Sequence, residues 1–364
     1  MENMVNFQEL VNLYCGKKIF LTGHTGFKGS WLLKILSLLG AEIKGYALEP
    51  QTSNDLFNLI GGNDLCDSII GDLRNKKKLE KEILDFQPDF IFHLAAQPLV
   101  RLSYEIPVET FEVNAIGTAN VLDSARLLNK KCSIILITTD KVYHNYEWIY
   151  PYRESDRLGG YDPYSASKAC SELIIESYRN SFFNILKYED HLKGIAVARA
   201  GNVIGGGDWA KDRLIPDIVR SLINQKPISI RNPNSVRPWQ HVLEPLLGYL
   251  TLGVYLEKQP IEYSSAYNFG PQAEDALSVE NMLELAINSW GSGEFMVEKQ
   301  INQPHEAGLL KLDISKVKSE LNWIPKFNAI KTINYTLDWY KAFIANSSSI
   351  NEFTEEQIMN FINC

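Results

Sequence analysis

The sequence predicts an α/β fold, a doubly wound parallel sheet with a smaller interleaved lobe. Three observations predict it. Apolar runs of strand length alternate with stretches of helix length through the first 200 residues. The first run opens into a glycine-rich turn and then a helix. Later runs end in small or polar residues, at the strand ends where open α/β sheets bind ligands.

Lys17–Thr22 reads as a short buried strand. It leads into Gly23-His24-Thr25-Gly26-Phe27-Lys28-Gly29 and a helix from Ser30 to Leu39. Glycines spaced GxxGxxG between strand and helix let the backbone turn sharply and let a diphosphate approach the helix N-terminus, where free N–H groups favour an anion. A tight strand–helix turn is the plainer alternative. On the first reading Gly23, Thr25, Gly26, Phe27 and Gly29 hold a dinucleotide cofactor. The second strand is Glu42–Leu48. Glu49 is the only acid where a ribose-binding acid is expected, and Pro50 follows it. The third, Ser68–Ile70, ends in Gly71-Asp72-Leu73, where Asp72 can reach an adenine amino group or cap the helix Lys76–Leu84. The fourth, within Asp89–Ala96, ends at Leu94, Ala95, Ala96 and Gln97, small enough at the alanines to leave room for a cofactor's backbone. His93 reads as a packed core histidine. Thr110–Leu128 is a long helix, and Ser133–Thr139 is the fifth strand.

That strand closes on Thr138-Thr139-Asp140-Lys141. The next helix, Pro163–Asn180, opens on Tyr164-Ser165-Ala166-Ser167-Lys168. A phenol and an ammonium four residues apart lie on one helix face. Tyrosine, with a reference pKa of about 10, is a poor base at neutral pH; a lysine beside it favours the phenolate. After a sixth strand, Ile195–Arg199, the run Ala200-Gly201-Asn202-Val203-Ile204-Gly205-Gly206-Gly207-Asp208-Trp209 reads as a ligand-contacting loop. The chain then changes character: a helix over Leu214–Gln225, a strand over Ile228–Arg231, Arg237-Pro238-Trp239-Gln240-His241-Val242 leading into a helix to about Leu256, a strand end at Tyr267–Pro271, a helix over Val279–Trp290, and a segment from His305-Glu306-Ala307 to Asp313. Residues 1–200, completed by 232–258, are expected to form the cofactor domain. Residues 201–231 and 259–345 form the second lobe, and 346–364 a peripheral tail in which Thr354–Ile362 is a short helix.

Composition narrows the function classes. With 364 residues, 45% hydrophobic and 22% charged, the chain reads as an ordinary soluble protein. A net charge of −8 argues against a general nucleic-acid binder. No apolar stretch reaches the length of a membrane span, and the first residues read as no signal peptide. The five cysteines are scattered without metal spacing, so reduced thiols, no metal and a cytoplasmic location are expected.

GxxGxxG at Gly23, Gly26 and Gly29, with Tyr164 and Lys168 as YxxxK, resembles the extended short-chain dehydrogenase/reductase superfamily. Longer segments are similar to one of its families, the CDP-glucose 4,6-dehydratases: Thr139-Asp140-Lys141, Glu147-Trp148, Leu158 to Ser165, Arg199 to Trp209, Asp212 to Asp217 and Arg237 to Val242. The resemblance implies a Rossmann-type domain, bound NAD, CDP-glucose as substrate and a homodimer. It implies oxidation at C4 of the sugar, loss of water across C5 and C6, and hydride return to C6. Tyr164 would take the C4 hydroxyl proton, Lys168 would support it and bond the nicotinamide ribose, and Thr139 would orient the C4 oxygen. Asp140 would protonate the departing C6 hydroxyl, which requires a protonated carboxyl. Lys141 would act at C5, either as a neutral base or as a cation beside the enolate. Asn202, Arg213, Arg231, Arg237 and His241 would line the substrate pocket, with the arginines on the diphosphate. A 4-epimerase on the same scaffold needs no Asp140-Lys141 pair, and a non-catalytic dinucleotide-binding regulator needs none of the five catalytic residues.

Overall fold

Seven parallel strands make one sheet in the order 3-2-1-4-5-6-7: β1 (Lys18–Thr22), β2 (Glu42–Ala47), β3 (Asp67–Ile70), β4 (Phe90–His93), β5 (Cys132–Thr139), β6 (Lys193–Ala200) and β7 (Ala266–Phe269). The structure is a computed structural model, and it describes residues 5–230, 232–297 and 309–364. β5 and β6 are buried along their whole length, which is why both read as near-continuous apolar runs. Chain order reverses between β1 and β4, the crevice where ligands bind in such sheets.

Two apolar clusters pack the sheet's faces. One holds Phe20, Ile91, Val121, Ile134 and Ile175, under the helices Lys76–Phe86, Gly117–Arg126 and Pro163–Ser181. The other holds Leu21, Trp31, Phe92, Ile135, Leu246 and Trp339, and runs on into the second lobe without a break. β7 comes from a stretch assigned above to that lobe; it pairs with β6 and completes the sheet.

Three expectations need correction. The helix expected over Thr110–Leu128 is Pro107–Phe111, a π turn over Glu112–Ile116, and Gly117–Arg126. The π turn carries Asn114, whose amide donates to the Gln97 carbonyl and the Ser167 hydroxyl (3.1 and 2.8 Å). Asn75, not Asp72, caps the helix Lys76–Phe86. The tail is not peripheral: Ile350–Ile362 is a helix that buries Ile350, Ile358 and Phe361. Thr354 accepts from the Trp339 indole at 2.9 Å, and the Lys326 ammonium donates to the carbonyls of Phe361 and Ile362. An amphipathic stretch at a chain end gives no hint in sequence of the groove that receives it. Phe361→Ala is expected to cost about 3 kcal/mol, read as a lower denaturant midpoint. An unchanged midpoint would place the helix outside the core.

Candidate active site

The glycine turn lies at the reversal point. Gly23 has φ +79°, and a Cβ there would stand 2.8 Å from the Ala95 backbone nitrogen, so the ends of β1 and β4 touch. A Cβ on Gly29 would stand 1.9 Å from the Gly23 carbonyl oxygen, so only glycine lets the helix Phe27–Leu38 start so close to the strand. Gly26 is that helix's N-cap and offers no side chain to its free N–H groups. An uncapped helix start beside an exposed glycine fits a diphosphate.

The other residues expected at the cofactor are placed as follows. Thr25 donates through its hydroxyl to the Leu48 carbonyl, tying the turn to the end of β2. Phe27 is half-buried, against the position of Gly205. Asp72 accepts a bidentate pair from Arg74, which holds its carboxyl below the usual range. Leu73 is buried and abuts Gly117. Leu94, Ala95 and Ala96 follow β4, whose His93 is buried between Thr22 and Thr118. The Gln97 side chain is spent on Leu99 and Thr110. Glu49 is exposed just past β2.

Two elements bring the reactive groups together. β5 delivers Thr139, Asp140 and Lys141 at its C-terminal end. The helix Pro163–Ser181, capped by Asp162 through the Ser165 N–H, delivers Tyr164 and Lys168 from its first turns. Asp140 is 1% exposed, and one of its oxygens accepts from the Thr139 hydroxyl (2.8 Å) and the Lys141 ammonium (3.0 Å). Lys141 also donates to the Asn202 side-chain oxygen at 3.1 Å. The loop after β6 thus reaches the same centre, and a Cβ on Gly201 would come within 3.5 Å of Asp140. Lys168 donates to the Ile137 carbonyl at 3.0 Å.

The electrostatics differ from the sequence expectation. The Tyr164 phenol is not lowered overall in this structure, because burial outweighs the cations around it. Burial pushes that phenol up to about 12; the contact with Thr139 and the charge of Arg213 pull it down, and Asp140 pushes it further up. Burial also lowers the Lys168 ammonium to about 8, with Glu172 opposing.

Of the residues expected at the substrate, Asn202 and Arg213 are at the site. Arg213 pairs with Asp208 at 2.9 Å and senses the Tyr164 charge. His241 is not. It is fully buried among Trp31, Phe327, Tyr335 and Phe361, and belongs to the core. Arg231 lies outside the described residues, as does the segment from His305 to Ala307. Arg237 is placed through its backbone alone, in the strand Val236–Pro238 that pairs with Ala276–Ser278.

One group escaped the sequence reading. Lys28, second residue of the glycine-turn helix, donates to the Tyr249 hydroxyl at 3.1 Å. Burial, then the charges of Arg213 and Lys168, lower its ammonium to about 7. A lysine in a helix otherwise rich in Leu, Ile and Trp was the available signal.

The chain is similar to known proteins. A profile of the family described as GDP-mannose 4,6 dehydratase matches residues 20–336. The chain is 50% identical over 333 residues to the CDP-glucose 4,6-dehydratase of Salmonella typhimurium, covering 92% of this chain and 93% of that one. It is 26% identical to the CDP-paratose 2-epimerase of Salmonella typhi, over 88% and 98% of the two chains. Among solved structures, the dTDP-glucose 4,6-dehydratase of Streptomyces venezuelae with NAD bound superposes with a TM-score of 0.76 at 22% identity, covering 89% of this chain and 97% of that one. The UDP-glucose 4-epimerase of Thermotoga maritima gives 0.77 at 19%, covering 90% and 99%. The structural likenesses establish the fold.

Proposed function

Because the chain belongs to the GDP-mannose 4,6-dehydratase family, we propose that it is an NAD-dependent CDP-glucose 4,6-dehydratase whose product is the CDP-linked 4-keto-6-deoxy sugar. The observation that carries this reading beyond the family is the Thr139–Asp140–Lys141 cluster beside Tyr164, buried at Thr139 and Asp140, because an epimerase has no water to remove and no use for an acid and a base there. The Salmonella relative at 50% identity supports the choice of nucleotide and sugar.

Bound NAD would lie along the glycine turn and supply a hydride acceptor that later returns the hydride. The chain's own groups do the rest. Tyr164 removes the C4 hydroxyl proton, held by Thr139 from one side, while the charges of Lys168 and Arg213 favour the phenolate. The ketone at C4 acidifies C5–H. Elimination then needs a base at C5 and an acid at the C6 hydroxyl. One proton meets both needs. Moved 3.0 Å from the Lys141 ammonium to the Asp140 carboxylate, it leaves a neutral amine and a carboxylic acid. Asn202 keeps Lys141 in place through the exchange.

The test is to incubate purified protein with CDP-glucose and, separately, with the UDP-, dTDP- and GDP-linked hexoses. Loss of the mass of one water with a 4-keto chromophore is expected from CDP-glucose. Turnover confined to another nucleotide would overturn the substrate assignment. Gly29→Ala is expected to abolish retention of NAD through gel filtration, because the added methyl meets a backbone carbonyl that cannot yield; retained NAD would remove the glycine turn from the cofactor site.

We assign the protein to the cytoplasm, where nucleotide sugars and NAD are available; among the described residues no helix is long and apolar enough to cross a membrane. A homodimer through the outer faces of Pro107–Arg126 and Pro163–Ser181 is supported by the exposure of Val108, Ile116 and Leu173 there. Light scattering should give twice the 41.4 kDa chain mass, and a monomer would exclude it.

A further inference from the structure

Behind the reactive groups lies a second layer of charge that the mechanism does not use. Glu172 and Arg199 are each 4% exposed. They face each other as a fork, with Arg199 Nε and a terminal nitrogen 2.9 and 3.0 Å from the two carboxylate oxygens. Each partner reaches further. Glu172 accepts from the Thr138 hydroxyl, and Thr138 stands opposite Arg199 in the β5–β6 register. The other guanidinium arm donates to the Tyr143 hydroxyl (2.8 Å) and to the Glu154 carbonyl (2.9 Å). Tyr143 donates onward to Asn268 in β7, whose N–H donates to the Glu154 side chain.

The placement is informative. Glu172 is one helical turn past Lys168 on the same helix face. Thr138 immediately precedes Thr139. Arg199, next to last in β6, is three residues before Asn202. Tyr143 is two residues past Lys141. Thr139, Lys141, Lys168 and Asn202 thus each lie one to four residues from a member of this network. The charges around Lys168 are also few: Tyr164 and Glu172 on its own helix, the neutral His93 on β4, and Lys28 on the glycine-turn helix. Asp140 and Lys141 at the end of β5 belong to the same centre, with Asp140 engaged by Thr139 and Lys141; Glu172 is the anion whose charge opposes the lowering of Lys168. Around Glu172 itself stand Arg199, Lys168 and, more distantly, Arg179.

We propose that Glu172 and Arg199 are the positioning residues of this active site: the fork fixes the ends of β5 and β6 against the catalytic helix and sets the Glu172 carboxylate one helical turn from Lys168. A purely structural pair could be replaced by any well-packed set of neutral side chains. This one could not, because Lys168 would then face burial with no anion to oppose it. Arg199 limits the effect by neutralising most of the Glu172 charge, so that Lys168 remains an acid of intermediate strength.

The experiment follows the lysine directly. Full-length, NAD-loaded protein is labelled with carbon-13 at lysine Cε, and the Lys168 resonance is assigned by its loss in Lys168→Met. Its titration midpoint is then measured in the parent, Glu172→Gln, Glu172→Asp and Arg199→Lys. Glu172→Gln is expected to lower the midpoint by about one pH unit and to move the alkaline limb of kcat down with it. Glu172→Asp keeps the charge and is expected to restore the midpoint, with kcat below parent because the shorter arm loosens the fork. Arg199→Lys is expected to leave the midpoint at or above the parent value. An unmoved midpoint in Glu172→Gln would overturn the proposal even if kcat falls. If that variant does not fold, a midpoint in Arg199→Lys below that of the parent would overturn it instead. The inference takes the role of Lys168 from the reading above, but the midpoint needs no turnover, so failure of one is distinguishable from failure of the other.

Discussion

Tyr164→Phe is expected to slow formation of the C4 ketone by about a thousandfold, with nucleotide-sugar affinity close to the parent value. Burial is what makes the loss so large. The phenol is 9% exposed and held near 12, so no solvent base reaches the C4 hydroxyl in its stead. The sign of the pH dependence follows. Below about 12 the phenolate fraction rises with pH, so the parent rate should climb from the acid side. Lys168 loses its proton around 8, and its support with it, so the climb should flatten above that pH. The Phe variant has no phenol to ionise, and its residual rate should not show the acid-side rise. Single-turnover absorbance of the reduced cofactor measures both features. A Phe variant that retained the parent's pH profile would show that another group takes the proton.

Asp140→Asn is expected to act later and as strongly. The amide oxygen can still accept from Thr139 and Lys141, which preserves the geometry that orients the C4 oxygen. Oxidation at C4 should therefore remain within about tenfold of the parent. The amide cannot carry the proton that Lys141 releases, so Lys141 stays charged and the C6 hydroxyl leaves unaided. Water loss should fall by about a thousandfold. Reduced cofactor should accumulate on mixing with CDP-glucose, followed by rapid-scan absorbance, whereas the parent shows it only transiently. Equal slowing of oxidation and water loss would refute the acid assignment.

Much of the fold was legible because its signals are local. Parallel strands buried on both faces leave continuous apolar runs, and the glycine turn marks where β1 ends. The helix Val279–Trp290 falls where its periodicity places it, closed by Ser278 at one end and Gly291 at the other. Thr139, Asp140, Lys141, Tyr164 and Lys168 could be named because they fall at a strand end and a helix start. What escaped depends on distant partners. His241 was expected at the pocket because it lies in the family-like run Arg237 to Val242, yet its neighbours in space are Trp31, Phe327 and Phe361. The helix Ile350–Ile362 looked dispensable because the groove that takes it is built from Trp339, Tyr335 and Phe327, well upstream in the chain. Glu172 and Arg199 are 27 residues apart and read singly as ordinary charged residues; only the packing of the helix Pro163–Ser181 over the end of β6 brings them face to face. The lowered Lys28 ammonium needs burial against Tyr249 and the charges of Arg213 and Lys168, none of which is near it in sequence.

The central claim is that one centre oxidises C4, removes water across C5 and C6, and returns the same hydride to C6. Its most direct test is mass and NMR analysis of the product formed from CDP-glucose carrying deuterium at C4. The account predicts a 4-keto-6-deoxy product with the deuterium in its C6 methyl group. Deuterium retained at C4 of a hexose with no water lost would mean an epimerase and contradict it, and a 4-keto-6-deoxy product without the label would contradict hydride return within one centre.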